Sequence, residues 1–206
     1  MKIPNSKFQI PNSKLGFTLL EITVVLAIIG LLAAIVLANY RGGEKQSALL
    51  RSTHRLAQDL RRAEEMAISS RKTSPEFGEE VFPRGGYGIY FEINPQAPKG
   101  YHIILFADCD REGDYDDWGP YACAEATSGS GNSRDETIEA ITLEEGIKIK
   151  KLRVDSFPVD FLPITFTPPD PTVTIAGGNE ATITLCLKDN ENITRTITVN
   201  KAGLID

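Results

Sequence analysis

The chain has 206 residues, 41% of them hydrophobic and 24% charged, which suits one domain with an appendage and excludes both wholesale disorder and collagen-like repeats. Its net charge of −6 is unevenly placed: residues 1–16 hold Lys2, Lys7 and Lys14 and no acid, 17–40 hold only Glu21, and the rest carries 19 basic against 27 acidic side chains. A body of that sign is a poor partner for nucleic acid, whose binding rests on Lys and Arg neutralising phosphates.

The first element in chain order is apolar. Phe17 to Tyr40 reads FTLLEITVVLAIIGLLAAIVLANY, 24 residues with one ionisable side chain. At about 1.5 Å per residue such a helix is roughly 36 Å long, enough to cross a hydrocarbon layer of about 30 Å with some tilt. The lysines before it favour an N-terminus-in orientation, an argument that Arg41 and Lys45 soften. A plain single-span anchor fits, and so does a secretory signal with a small-x-small end at Val36-Leu37-Ala38. Glu21 is awkward for both, because a carboxylate in hydrocarbon costs about 2.5–3.5 kcal/mol and normally has a partner or a task.

Gly16 immediately precedes the apolar run, Phe17 begins it and Glu21 is the fifth residue counted from Phe17. The string Lys14-Leu15-Gly16-Phe17-Thr18-Leu19-Leu20-Glu21 resembles the processing signal of type IV pilins and type II secretion pseudopilins. The resemblance implies that a prepilin peptidase cuts between Gly16 and Phe17 and methylates the new N-terminus. Residues 1–16 would then be a disposable leader, which contains IPNSK twice. The resemblance further implies that Glu21 of one subunit pairs with the Phe17 amine of a neighbour during assembly on an inner-membrane platform. Major pilins commonly carry a helix-bending proline where this chain has Ala38, so the sequence leans toward a pseudopilin or minor pilin.

The second element continues the helix to residue 74. Leu49, Thr53, Leu56, Leu60, Ala63 and Ala67 step by three and four and form one mostly apolar stripe. Gly42-Gly43 would cost up to about 2 kcal/mol relative to alanines, so the junction is expected to bend or melt as the subunit moves from bilayer to filament. His54 falls in this Arg-rich segment and is read as an ordinary structural residue.

From residue 75 the pattern changes to short runs of period two separated by Gly, Pro, Asn and Asp. Eight strands are predicted: Tyr87–Glu92, Tyr101–Ala107 (which holds the second histidine, His102), Thr137–Leu143, Ile147–Val154, Pro163–Thr167, Thr172–Ala176, Thr182–Lys188 and Thr194–Asn200. The last two read as a hairpin turning at Asp189–Asn192, with Cys186 an unpaired thiol on its less apolar face. The fold class is therefore α+β, a long helix packed on an antiparallel β domain of two sheets over 75–206. The closing run Arg195 to Ile205 resembles that of the H-type minor pseudopilins. Asn192-Ile193-Thr194 matches a glycosylation sequon and carries little weight.

Between the second and third strands lies an acidic loop with six carboxylates from Asp108 to Asp117. Asp108, Asp110 and Glu112 followed by Gly113 mimic the first half of a calcium loop, with Asp114 and Asp116 as further oxygen donors. The second half fails, because the twelfth position is Gly119 rather than Glu. A solvated acidic loop and a calcium site both remain open. Cys109 and Cys123 flank the loop and would bridge in an oxidising compartment; with no C-x-x-C pair, structural zinc is not expected.

A structural filament subunit in the inner membrane, its C-terminal domain extracytoplasmic, is the leading expectation. A filament-tip module that captures DNA or a surface, using Lys188, Arg195 and Lys201, is the second, and an exported enzyme with a secretory signal the third. No catalytic constellation is found.

Overall fold

The computed structural model describes residues 16–73, 82–109, 111–115, 136–168 and 172–206, and only the backbone of 37–42. The chain divides into two compact units at Gly43/Glu44.

Helix α1 runs from Leu19 to Ile68, 50 residues without interruption. Gly42 and Gly43 are helical, so no melted turn is present at the pair. The helix is established on both sides of the pair, and carrying it through two weak residues costs less than nucleating a new helix beyond them. It ends earlier than expected. Ser70, at φ 45°, takes the left-handed position; its amide donates to Ala67 O at 3.0 Å, and the Arg71 amide donates to Met66 O at 3.1 Å. These two bonds make a Schellman cap, which satisfies carbonyls that the helix end would otherwise orphan.

In the first unit every described side chain from Gly16 to Val36 is exposed. Leu19–Val36 is long and apolar enough to cross a membrane, and none of it is buried. A helix that is apolar on all sides with no protein cover belongs in lipid or against other such helices.

The second unit contains the rest of α1 and, among the described residues, nine antiparallel strands. One sheet has the order β3-β2-β1-β6-β7, with β1 Gly86–Glu92, β2 His102–Asp108, β3 Thr137–Ala140, β6 Phe161–Thr167 and β7 Thr172–Ile175. The other has the order β5-β4-β8-β9, with β4 Ile147–Val154, β5 Phe157–Val159, β8 Glu180–Leu187 and β9 Thr194–Asn200. The two-sheet α+β architecture is as expected, with one strand more. β5 has three residues with Pro158 at its centre, too short to show a period, and an edge strand tolerates the missing donor. β3 stops at Ala140, short of the expected Leu143, although the Ile141 amide still donates to Ile103 O at 2.8 Å.

One hydrophobic core takes Leu49, Leu56, Leu60, Ala63 and Ala67 from the helix together with the inner faces of both sheets. Each fully buried leucine contributes about 1.5–3 kcal/mol, so packing rather than helix propensity holds this segment. Polar ties complete the docking. Arg51 makes a two-pronged bond to Glu144 at 2.9 and 2.8 Å, Arg62 pairs with Glu139 at 2.8 Å, and Lys45 pairs with Asp189. Arg61 donates to Ile205 O at 3.1 Å, so the helix is fastened to the chain's last bridge as well.

Candidate functional site

The N-terminal segment is built around Thr18. Its Oγ1 accepts the Glu21 amide at 3.3 Å, which places Thr18 at the N-cap and Glu21 at the third helical position. Thr18-Leu19-Leu20-Glu21 thus has the S/T-x-x-E spacing of a capping box, and a carboxylate here also faces the positive end of the helix dipole. Sequence reasoning read Glu21 as an intramembrane acid and as an assembly residue, and did not include this spacing from Thr18. Thr23 Oγ1 donates to Leu20 O at 2.8 Å, keeping its hydroxyl satisfied within an apolar surface. Gly16 has open space around it, and Phe17 is 78% exposed. Both the junction at Gly16–Phe17 and the Glu21 side chain are therefore accessible in a single subunit.

Where it is described, the acidic loop is organised around Asp108. Asp108 is only 1% exposed; its Oδ1 accepts the Arg111 amide at 2.7 Å and its Oδ2 the Gly113 amide at 3.1 Å. Both oxygens of this buried carboxylate thus accept backbone N–H groups. Glu112 and Asp114 point outward and are exposed. Asp110 and Asp116 lie outside the described residues, and among the described residues no three His, Cys, Asp or Glu side chains are grouped to hold a metal ion. Glu136, 2% exposed, fastens the far end of the loop: its Oε1 accepts the Cys109 amide at 2.8 Å, and its carbonyl accepts the Ala107 amide at 3.0 Å. Cys109 is in a disulfide; the expected partner, Cys123, lies outside the described residues.

The start of this loop lies across the outer face of the five-stranded sheet. On β1, β2 and β6 the inner residues Ile89, Leu105 and Ile164 belong to the core, whereas Gly88, Phe106 and Thr165, in register with one another, point the other way. Phe106 is nevertheless fully buried. Tyr115 covers it at a ring distance of 5.7 Å, and covers Tyr90 at 5.0 Å, while Thr165 Oγ1 donates to Gly113 O at 3.0 Å. Gly88 makes room for the Phe106 ring, since a Cβ there would lie 2.6 Å from Cζ. No periodicity signals such a cover, because it comes from a segment without secondary structure.

The remaining sequence candidates fall apart from one another. His54 is exposed, and His102 lies on the surface with Nδ1 2.9 Å from Glu92 Oε2. Cys186 is free and sits on the outer face of its sheet as expected, but it is fully buried rather than surface-lying. Burial pushes its thiol pKa up. Lys188, Arg195 and Lys201 are all exposed.

Comparison with protein families finds a prokaryotic N-terminal methylation motif over residues 11–37. That span contains Gly16, Phe17, Thr18 and Glu21. Searches of the curated proteins and of the solved structures found no match.

Proposed function

We propose that the chain is a structural filament subunit, a minor pseudopilin or minor pilin of a type II secretion or type IV pilus system. The observation that carries this reading is the methylation motif over 11–37 on a helix whose apolar surface is wholly uncovered. Prepilin peptidase would cut between Gly16 and Phe17 and methylate Phe17. The cut removes Lys2, Lys7 and Lys14 and leaves the apolar helix in the inner membrane, with residues 44–206 outside the cytoplasm. Assembly with other pilins on the membrane platform would then transfer the uncovered helix from lipid to a bundle of like helices.

Glu21 supplies the register. Its carboxylate is exposed, one turn along the helix from Phe17. A neighbour displaced along the bundle brings its Phe17 amine to the Glu21 carboxylate, and other offsets leave both charges orphaned in a medium where each costs several kcal/mol. Glu21→Ala should leave cleavage and methylation intact and abolish incorporation into filaments. Normal incorporation of that variant would remove the pairing.

A further inference from the structure

The geometry points to a two-fold contact between two copies of the β domain, made through the outer face of the five-stranded sheet at the end away from Gly113. Two rows of residues cross that end. One is apolar: Pro163, Tyr90, Ile104 and Ala140 follow one another across β6, β1, β2 and β3. The other runs Phe161, Glu92, His102, and Thr142, just past β3, extends it. A sheet with one face in water normally places polar residues outward. In the first row Ala140 is exposed and Tyr90 and Ile104 are only half-buried, so apolar surface faces outward without full cover.

A knob and a hole stand at opposite ends of these rows. Phe161, on β6, is 60% exposed. A groove of about 400 Å³ opens where β2 meets the end of β3, lined by His102, Ile104, Ala140 and Thr142 with Pro98 and Lys99 beside them. Asp160 adjoins the knob and Lys99 the hole. Both are exposed, and among the described residues neither side chain has a hydrogen-bond or ion-pair partner. The Glu92–His102 pair lies between the two ends.

That order of groups selects a second copy as the occupant. A two-fold axis parallel to the strands, between β1 and β2, lays β6 of each copy over β3 of the other and β1 over β2. Phe161 of each then meets the groove of the other, Asp160 meets Lys99 and Tyr90 meets Ile104. Every contact is made twice, as an isologous interface requires, with an aromatic residue and an apolar row in its middle. The exposed acids Glu112 and Asp114 flank Gly113, whose carbonyl is bonded to Thr165. Thr165 lies four residues along β6 from Phe161, about 13 Å away, so these acids stand off from the contact. Phe157, 75% exposed, belongs to β5 of the other sheet and takes no part.

Two rows of four residues make a small contact beside a standard interface of about 800 Å² per partner. Anchoring of both copies in one bilayer supplies the effective concentration that a weak contact needs. An isologous pair closes on itself and does not extend, which suits a subunit present in few copies. The contact rests on the β domain and not on cleavage after Gly16, so either reading can fail without the other.

The test uses the full chain in phosphatidylcholine vesicles. Within one subunit Thr142 and Phe161 are three strand spacings apart, about 14 Å, beyond the roughly 7 Å over which two Cα atoms can be bridged. The Thr142→Cys/Phe161→Cys variant should therefore form a disulfide-linked dimer under mild oxidation, and neither single variant should. Charge reversal on that background gives a second readout. Lys99→Glu or Asp160→Lys alone should cut the dimer yield about tenfold, and the two together should restore it. No dimer, a bridge inside one chain, equal dimer in a single-cysteine variant, or reversals that fail to compensate would each overturn the assignment.

Discussion

Gly85 lies against the carboxyl group of Asp108 so closely that a Cβ on it would fall 2.0 Å from the carboxyl carbon. The absence of a side chain at Gly85 therefore sets where Asp108 sits, and Asp108 in turn ties the Arg111 and Gly113 amides. Gly85→Ala should displace the carboxylate and weaken both bonds. With hydrogen bonds to a charged group contributing about 1.5–3 kcal/mol each, the loss is about 3 kcal/mol, a fall in Tm of roughly 6–12 °C. Thermal unfolding followed by near-ultraviolet circular dichroism measures it; a change under about 2 °C would show that the carboxylate relocates at no cost.

Tyr115 fastens the same loop from above. Tyr115→Ala uncovers Phe106 and Tyr90 and should cost about 2 kcal/mol. Limited proteolysis should then cut faster between residues 111 and 136, while strands β8 and β9 remain resistant. Cleavage at the wild-type rate would mean that the ring contacts do not restrain the loop.

Asp59 is the one described side chain with a buried, unbonded polar atom, its Oδ2. It stands beside a small void lined by Ser52, Leu56 and Leu143. Burial raises its pKa above the ordinary Asp value, with Arg55 opposing and Glu139 adding to the shift. A group whose pKa is higher folded than unfolded favours folding while it is protonated. Its contribution is complete below the unfolded value and is lost as pH rises through the folded one. Asp59→Asn should accordingly stabilise the domain at pH 7 by a degree or more in Tm, about what a few tenths of a kcal/mol produce, and the gain should vanish near pH 3. An equal gain at both pH values would show that charge is not the cause.

Glu144, Asp189 and Glu191 have the opposite sign. Arg51, Lys45 and Lys148, through hydrogen bonds, hold their pKa values below the usual range. Each contribution is present above the unfolded carboxylate value and is lost as pH falls through the lowered one. All three are exposed pairs, so added salt should shrink the acid-side loss of stability. A salt-independent acid limb would point to another group.

Cys109 and Cys186 differ in oxidation state. Peptide mapping without reductant should find Cys109 joined to Cys123. Cys186, buried with a raised thiol pKa, should resist alkylation in the folded protein and react at once in denaturant. Rapid labelling of the native chain would contradict its burial.

What the sequence makes legible here is whatever depends on near neighbours. The Gly16–Glu21 string, the stripe from Leu49 to Ala67 and the β8–β9 hairpin all follow from local spacing, and β4 and β9 have the bounds that alternation predicts. The Thr18–Glu21 bond is equally local, an S/T-x-x-E spacing at the head of the apolar run. Other features depend on distant segments. Asp108 reads as an outward oxygen donor until Gly85 and the turn at Gly113 are placed around it. Phe106 reads as an outer residue until Tyr115 covers it. β5 has no period because three residues are too few to show one, and its pairing with β4 follows from the tight turn at Asp155-Ser156, where Asp155 takes a positive φ. Glycine propensity at Gly42-Gly43 was outweighed by helix on both sides.

The central claim is that this chain is cut after Gly16 and held in a filament through the end thereby exposed. Intact-mass and N-terminal peptide mass spectrometry of the protein from its native membrane tests that most directly. The account predicts a chain beginning at Phe17 with one added methyl group on its α-amine. A chain that keeps residues 1–16, or one that begins at Asn39 after loss of the apolar helix, would contradict it.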